Sequence, residues 1–337
     1  MALSPFIFGC EGLFLSTGER RFFTKIQPFG FILFSRNLEN PVQIRQLCAD
    51  LRSAVGWHAP IMVDQEGGRV SRLGAPHWFE FPPALDQAAA PQSERLFWLR
   101  GRLIAENLRS CGIDSNCAPL GDIAQPDTHA VLKNRCYGSA VSAVVFHARA
   151  LHQGLRHGGV SGVLKHIPGH GRATLDSHLD LPCVLVKRGS LERHDFEAFR
   201  QLNTIEMGMT AHLVFEDIDP NHPATHSAAM IEIIRNHIEF DGLLMTDDIS
   251  MEALSGPLDL RAQRALSAGC DIILHCNGQM DQMQHLADHV DGLSGASQFR
   301  VAQVLAQRPD VQPVDIQQLK AEFDTVWASS GDARRII

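Results

Sequence analysis

The sequence has no C-x-x-C pair, no long uninterrupted apolar run and no block of like charge. Each absence closes a class of function. Eight cysteines lie dispersed at positions 10, 48, 111, 117, 136, 183, 270 and 276, which counts against a zinc knuckle and a dithiol redox motif. Cys111, Cys183 and Cys270 sit beside apolar segments, where a reduced thiol acts as a small hydrophobe. No stretch approaches the roughly 18 apolar residues of a membrane span. The opening residues MALSPFIFGCEG carry neither a basic n-region nor an A-x-A cleavage site, so no secretory signal is expected and the predicted location is cytoplasmic. Without a basic patch or tail, and with a net charge of −8, the chain is not expected to bind nucleic acid. No G-x-G-x-x-G follows the first predicted strand, which weakens a dinucleotide-binding reading. No feature points to a protein partner or a membrane, and a small solute is the expected ligand.

What is present is an alternation. Short apolar, β-rich runs at 6–9, 30–35, 60–63, 113–116, 162–166, 206–210, 242–246 and 271–275 predict eight strands. Between them lie segments of helical period. One is 41–55, with Ile44, Leu47, Leu51 and Val55 on one face. Others are 94–111, with Gly112 beyond its end, 143–157, and a helix capped by Ser227. Strands that read as continuous apolar runs are buried on both faces, as in parallel sheets. Eight of them separated by helices predict an α/β fold, a (β/α)8 TIM barrel. The whole chain, 1–337, reads as a single domain, helical after about 277.

In such a barrel the active site forms at the C-terminal ends of the strands. The polar clusters DQEGGR, NCAPLGD, KHIPGHG, AH and DD all follow predicted strands. Asp247 and Asp248 end the seventh, and adjacent residues there point in opposite directions. A carboxylate in that place serves as nucleophile, base or metal ligand, or else caps the next helix. His166, His170, Asp176 and His178 fall within fourteen residues of Lys165. They fit a metal site, a structural loop, or an acid/base pair in which Asp176 orients His178. Asp64 suits a pair of sugar hydroxyls, Arg72 a planar donor fork, and Gly67-Gly68 a tight backbone path.

Together VDQEGGRVSR (63–72), KHIPGHG (165–171), DSH (176–178) and MTDDISM (245–251) resemble the bacterial β-N-acetylhexosaminidases of glycoside hydrolase family three. GFILFSRN (30–37), NRCYG (134–138) and AGCDIIL (268–274) add to the resemblance. It implies a retaining exo-β-N-acetylglucosaminidase that acts on peptidoglycan-derived muropeptides without cofactor or metal. It also implies Asp247, rather than Asp248, as nucleophile, with His178 as acid/base held by Asp176. Asp64, Arg72, Arg135, Lys165, His166 and, near the same pocket, His212 would bind the sugar. Larger family members add a C-terminal domain that supplies an acidic proton donor; this chain is too short for one, so the donor is expected from the barrel. Gly9-Cys10 departs from the family, which usually has an aspartate near the end of the first strand. Three other readings stand beside this one: a β-glucosidase-like exo-hydrolase, a metal-dependent hydrolase built on His166, His170 and His178, and a non-catalytic sugar-binding barrel.

Overall fold

The structure is a computed structural model that describes residues 3–174 and 181–333, the last three by backbone alone. Eight parallel strands close into a barrel: β1 (Ser4–Phe8), β2 (Pro28–Leu33), β3 (Ile61–Val63), β4 (Ser115–Asn116), β5 (Ser161–Ile167), β6 (Met207–Thr210), β7 (Leu243–Asp248) and β8 (Ile272–His275). The ring closes where β1 pairs with β8, in the register Phe6 to Ile273 and Phe8 to His275. The predicted (β/α)8 barrel is what forms. All eight expected strands exist, each within a few residues of its predicted bounds.

The sequence dictates this through two apolar sets. Ile7, Phe29, Ile32, Met62, Cys117, Val163, Met207, Met209, Leu243, Met245 and Ile272 fill the barrel interior as one buried cluster. Alternate positions such as Phe6, Phe8, Phe31, Val63, Leu164 and Leu244 face outward into the helix layer. Both faces are dry, so the strands read as unbroken apolar runs.

The helices form where capping and periodicity agree. Pro41–Val55 starts on Asn40, whose Oδ1 accepts from Val42 and Gln43, and ends at Gly56 with φ 74°. Ser93–Ser110 and Val141–His157 pack closely because Gly101 and Gly154 let the backbones touch; a Cβ on either would strike the facing chain. Ser227 Oγ accepts from Met230 to cap Ala228–Asn236. After β8 the described chain is helical, ending with Ile316–Ala333, which packs on Ser93–Ser110.

One element lay beyond the sequence reading. Cys183–Val184, Val214–Phe215 and Asp219–Pro223 make a small three-stranded sheet on the β5 and β6 side. Two-residue strands leave no periodicity to detect. Cys183 also differs from expectation: it is the one exposed thiol, while the other seven are buried, and all eight are free.

Candidate active site

The open cavity at the C-terminal end of the barrel is lined by residues from three of the five polar clusters, those after β3, β5 and β7; NCAPLGD after β4 and the Ala-His pair after β6 contribute none. The lining includes Asp64, Arg72, Arg135, Lys165, His166, His170, Asp247 and Asp248, with Phe34, Met209, Met251 and Cys276 as apolar walls.

Asp64 follows β3, where the strand register aims it across the barrel mouth. Lys165, on β5, is buried and reaches both Asp64 Oδ1 and Glu66 Oε1 at 2.7 Å. Arg135 holds Glu66 by two bonds, Nε to Oε2 at 2.9 Å and Nη2 to Oε1 at 2.8 Å. Burial would raise the Glu66 carboxyl, but Arg135 and Lys165 outweigh it and hold Glu66 far below the usual carboxylate range. Burial would also strip Lys165 of its proton, and Asp64 and Glu66 push it the other way, so it stays a cation. Arg72 approaches Asp64 more loosely, at 3.7 Å.

The backbone of this loop is shaped by Gln65. Its Oε1 accepts from Arg72 and Leu73, and its Nε2 donates to Ser71 Oγ and the Leu73 carbonyl. Gly67 and Gly68 take φ of 88° and 61°, and a Cβ on Gly67 would strike Arg100 and Phe81. The expected tight turn is there, and it requires glycine.

His166 and His170 meet edge to face, with ring centroids 5.4 Å apart. Beneath them lies Asp122, wholly buried. One of its oxygens is 2.7 Å from His166 Nδ1, and the other accepts from the His170 backbone N–H at 2.7 Å. Burial would raise Asp122; His166, followed by His170, lowers it below its ordinary value. With Nδ1 committed to this carboxylate, His166 turns Nε2 toward the cavity. Burial and the neighbouring His166 bring His170 down to about 4. Among the described residues no group of three His, Cys, Asp or Glu side chains is placed to hold a metal ion.

Asp247 and Asp248 both line the cavity, whereas strand alternation predicted that one would face away. The difference comes from the strand end, where β7 shifts register against β8 between Met245 and Asp248. Their oxygens differ in availability. Asp248 accepts from Ser250 N–H and Oγ and from the Cys276 N–H. Asp247 accepts from the Asp248 N–H at 2.8 Å. Burial would raise the Asp247 carboxyl, but His166, His212 and Lys165 hold it below the usual range as an anion.

His212 is placed differently from the other sugar-binding candidates. It is not part of the cavity lining. Its Nδ1 is 2.7 Å from Thr225 Oγ1 and its Nε2 is 3.1 Å from the Asp248 carbonyl. Both ring nitrogens are taken, so His212 braces the backbone behind the aspartates. Asp176 and His178 lie outside the described residues; just before them, Arg172 binds Asp195 at 2.7 Å.

Sequence reasoning passed over two residues of this arrangement, Glu66 and Asp122. Both stood in the strand-end clusters, DQEGGR and NCAPLGD. Membership of those clusters was the signal available; nothing local shows that Glu66 meets Arg135 and Lys165 or that Asp122 meets His166.

Comparison with known proteins agrees with this geometry. Residues 16–307 match the Glycosyl hydrolase family 3 N terminal domain. A protein of Alkalilimnicola ehrlichii named Beta-hexosaminidase is 38% identical over 288 residues, 82% of each chain. One of the same name from Pseudomonas aeruginosa is 33% identical, covering 79% of this chain and 80% of its own. Among solved structures, NagZ from Neisseria gonorrhoeae in complex with N-trifluoroacetyl-D-glucosamine superposes with a TM-score of 0.83 at 29% identity, covering 98% of this chain and 97% of that one. A family 3 beta-N-acetylglucosaminidase from a Paenibacillus strain reaches 0.86 at 28% identity, covering 97% of this chain and 67% of that one. With a family match over most of its length, the chain belongs to glycosyl hydrolase family 3 and is a glycoside hydrolase.

Proposed function

We propose that this protein is a retaining exo-β-N-acetylglucosaminidase that removes the terminal N-acetylglucosamine of muropeptides. The observation that carries the reading is the Asp247 carboxylate, partly exposed and held ionised in a cavity whose other polar groups include Asp64, Arg135, Lys165 and His166. The names of the relatives, Beta-hexosaminidase and beta-N-acetylglucosaminidase, support an N-acetylhexosaminide as substrate, and the muropeptide rests on the resemblance in the sequence.

In this mechanism Asp64, Lys165, Arg135 and His166 bind the hydroxyls of one terminal sugar and place its anomeric carbon over Asp247. Asp247 attacks that carbon and forms a glycosyl ester as His178 delivers a proton to the departing oxygen. His178, now neutral, takes a proton from water, the water attacks the same carbon, and Asp247 leaves as a carboxylate. An ordinary histidine, with a pKa of about 6.5, reaches both states near neutrality. Asp176 would orient the ring and stabilise its charged form. The reaction needs no cofactor, the chain acts as a single domain, and its free cysteines suit the cytoplasm.

Two measurements test the reading. An aryl N-acetyl-β-glucosaminide should be hydrolysed far faster than the matching aryl β-glucoside; the reverse order would favour a β-glucosidase. His178→Ala should lose much of its activity on a poor leaving group and recover on an activated aryl one. Equal losses on both would make His178 structural.

A further inference from the structure

Arg36 is not part of the proposed chemistry. It lies two residues after Phe34, a wall residue of the cavity; its side chain is exposed and touches two lining residues, Phe34 and Cys276. Nε donates to the Cys10 carbonyl at 3.0 Å and Nη2 to the Cys276 carbonyl, so the guanidinium is fixed across the β1–β8 seam. Gly9 makes this possible. A Cβ there would run into the Cys276 carbonyl and stand 2.9 Å from Arg36 Nη2. Gly9 also contributes no carboxylate, and Arg36 forms no ion pair with a described residue. The guanidinium lies 5.3 Å from the Phe34 ring centroid, and that of Arg72 lies 5.4 Å from the same ring. Two cations thus share one aromatic wall, and Nη1 of the outer one has no partner among the described residues.

An arginine fixed in this way loses little rotamer freedom on meeting a ligand, and its planar donors suit a carboxylate. In a protein of net charge −8 such a local positive rim is not a general property of the surface. We infer that Arg36 is a specificity-determining residue for the aglycone, selecting leaving groups that carry a carboxylate beyond the terminal sugar. The inference rests on the N-acetylglucosaminidase reading and adds the charge of the group that departs.

The test uses two aryl N-acetyl-β-glucosaminides that differ only in a ring carboxylate or carboxamide. The quantity read is the ratio of kcat/KM for the anionic over the neutral substrate. Intrinsic leaving-group differences cancel when the ratio is compared between proteins. Arg36→Gln should lower the ratio about three- to fivefold, the range of an exposed charge pair, while Arg36→Lys should keep most of it. In the unaltered protein, raising salt from about 0.01 M to about 1 M should bring the ratio toward that of Arg36→Gln, as the screening length falls from about 30 Å to about 3 Å. That arm needs no variant to fold. A ratio that is the same in Arg36→Gln, or indifferent to salt, overturns the inference. Failure to hydrolyse the neutral substrate at all would instead overturn the underlying activity.

Discussion

The two ends of this barrel are built from the same side chains and do different work. At the N-terminal end, Asp271 receives Arg235, Arg300, Ser297 Oγ and the Leu244 N–H, and Asp114 receives Arg52 and the Ile61 N–H. There each carboxylate closes the hydrogen bonding of a strand start, and its cations come from the outer helices. At the C-terminal end, Asp64, Glu66, Lys165 and Arg135 form an equally dense cluster, but it borders open space. Ion pairing alone therefore does not mark an active site. What marks the proposed site is a carboxylate kept charged by neighbours that leave one side of it bare.

Substitutions at the two ends should separate these roles. The largest expected effect is at the mouth: Asp247→Ala should lower kcat/KM by on the order of 10^4-fold, with the unfolding midpoint little changed. At the foot, Asp271→Ala should show the opposite pattern. It leaves Arg235 and Arg300 facing an unfilled buried site, and denaturant unfolding should record a loss of about 3–5 kcal/mol while turnover per folded molecule is retained. Loss of turnover in the folded Asp271→Ala protein would erase the distinction between the ends.

A third substitution sharpens the line between acting and positioning. Asp122→Asn keeps the shape but removes the charge that fixes the His166 ring. Steady-state kinetics should show a fall of about 10- to 100-fold, because a slightly misplaced group near the reacting atoms is costly. The smallest effect is a pH dependence. Glu66 has its pKa depressed in the fold, so its stabilisation is complete above the unfolded value of about 4.3 and is lost as pH falls through the folded value. The stability penalty of Glu66→Gln should accordingly be full at neutral pH and shrink in strong acid. An equal penalty at both would show that the ion pairs with Arg135 and Lys165 contribute nothing.

Much of the barrel was legible because its strands are dry on both faces, and runs such as 242–246 and 271–275 leave few alternatives. The mouth was legible as a set of clusters rather than as contacts. Asp64, Arg72, Arg135, Lys165, His166 and Asp247 do meet in one cavity. His212 does not reach it, since nothing in the pair Ala211-His212 reveals that Thr225 and the Asp248 carbonyl claim both ring nitrogens. Asp122 was hidden for a related reason. Its partners lie more than forty positions away, His166 on β5 and His170 just after it, a distance that only the closed barrel removes. The two-residue strands of the side sheet carry no period at all.

The central claim, that Asp247 is the nucleophile, is open to one direct measurement. A mechanism-based 5-fluoro glycosyl donor of the N-acetylglucosamine series should trap the ester, and peptide mass mapping should place the label on the peptide containing Met245–Met251, at Asp247. Label on Asp64 or Asp248, or hydrolysis of the donor with no covalent adduct, would contradict the account.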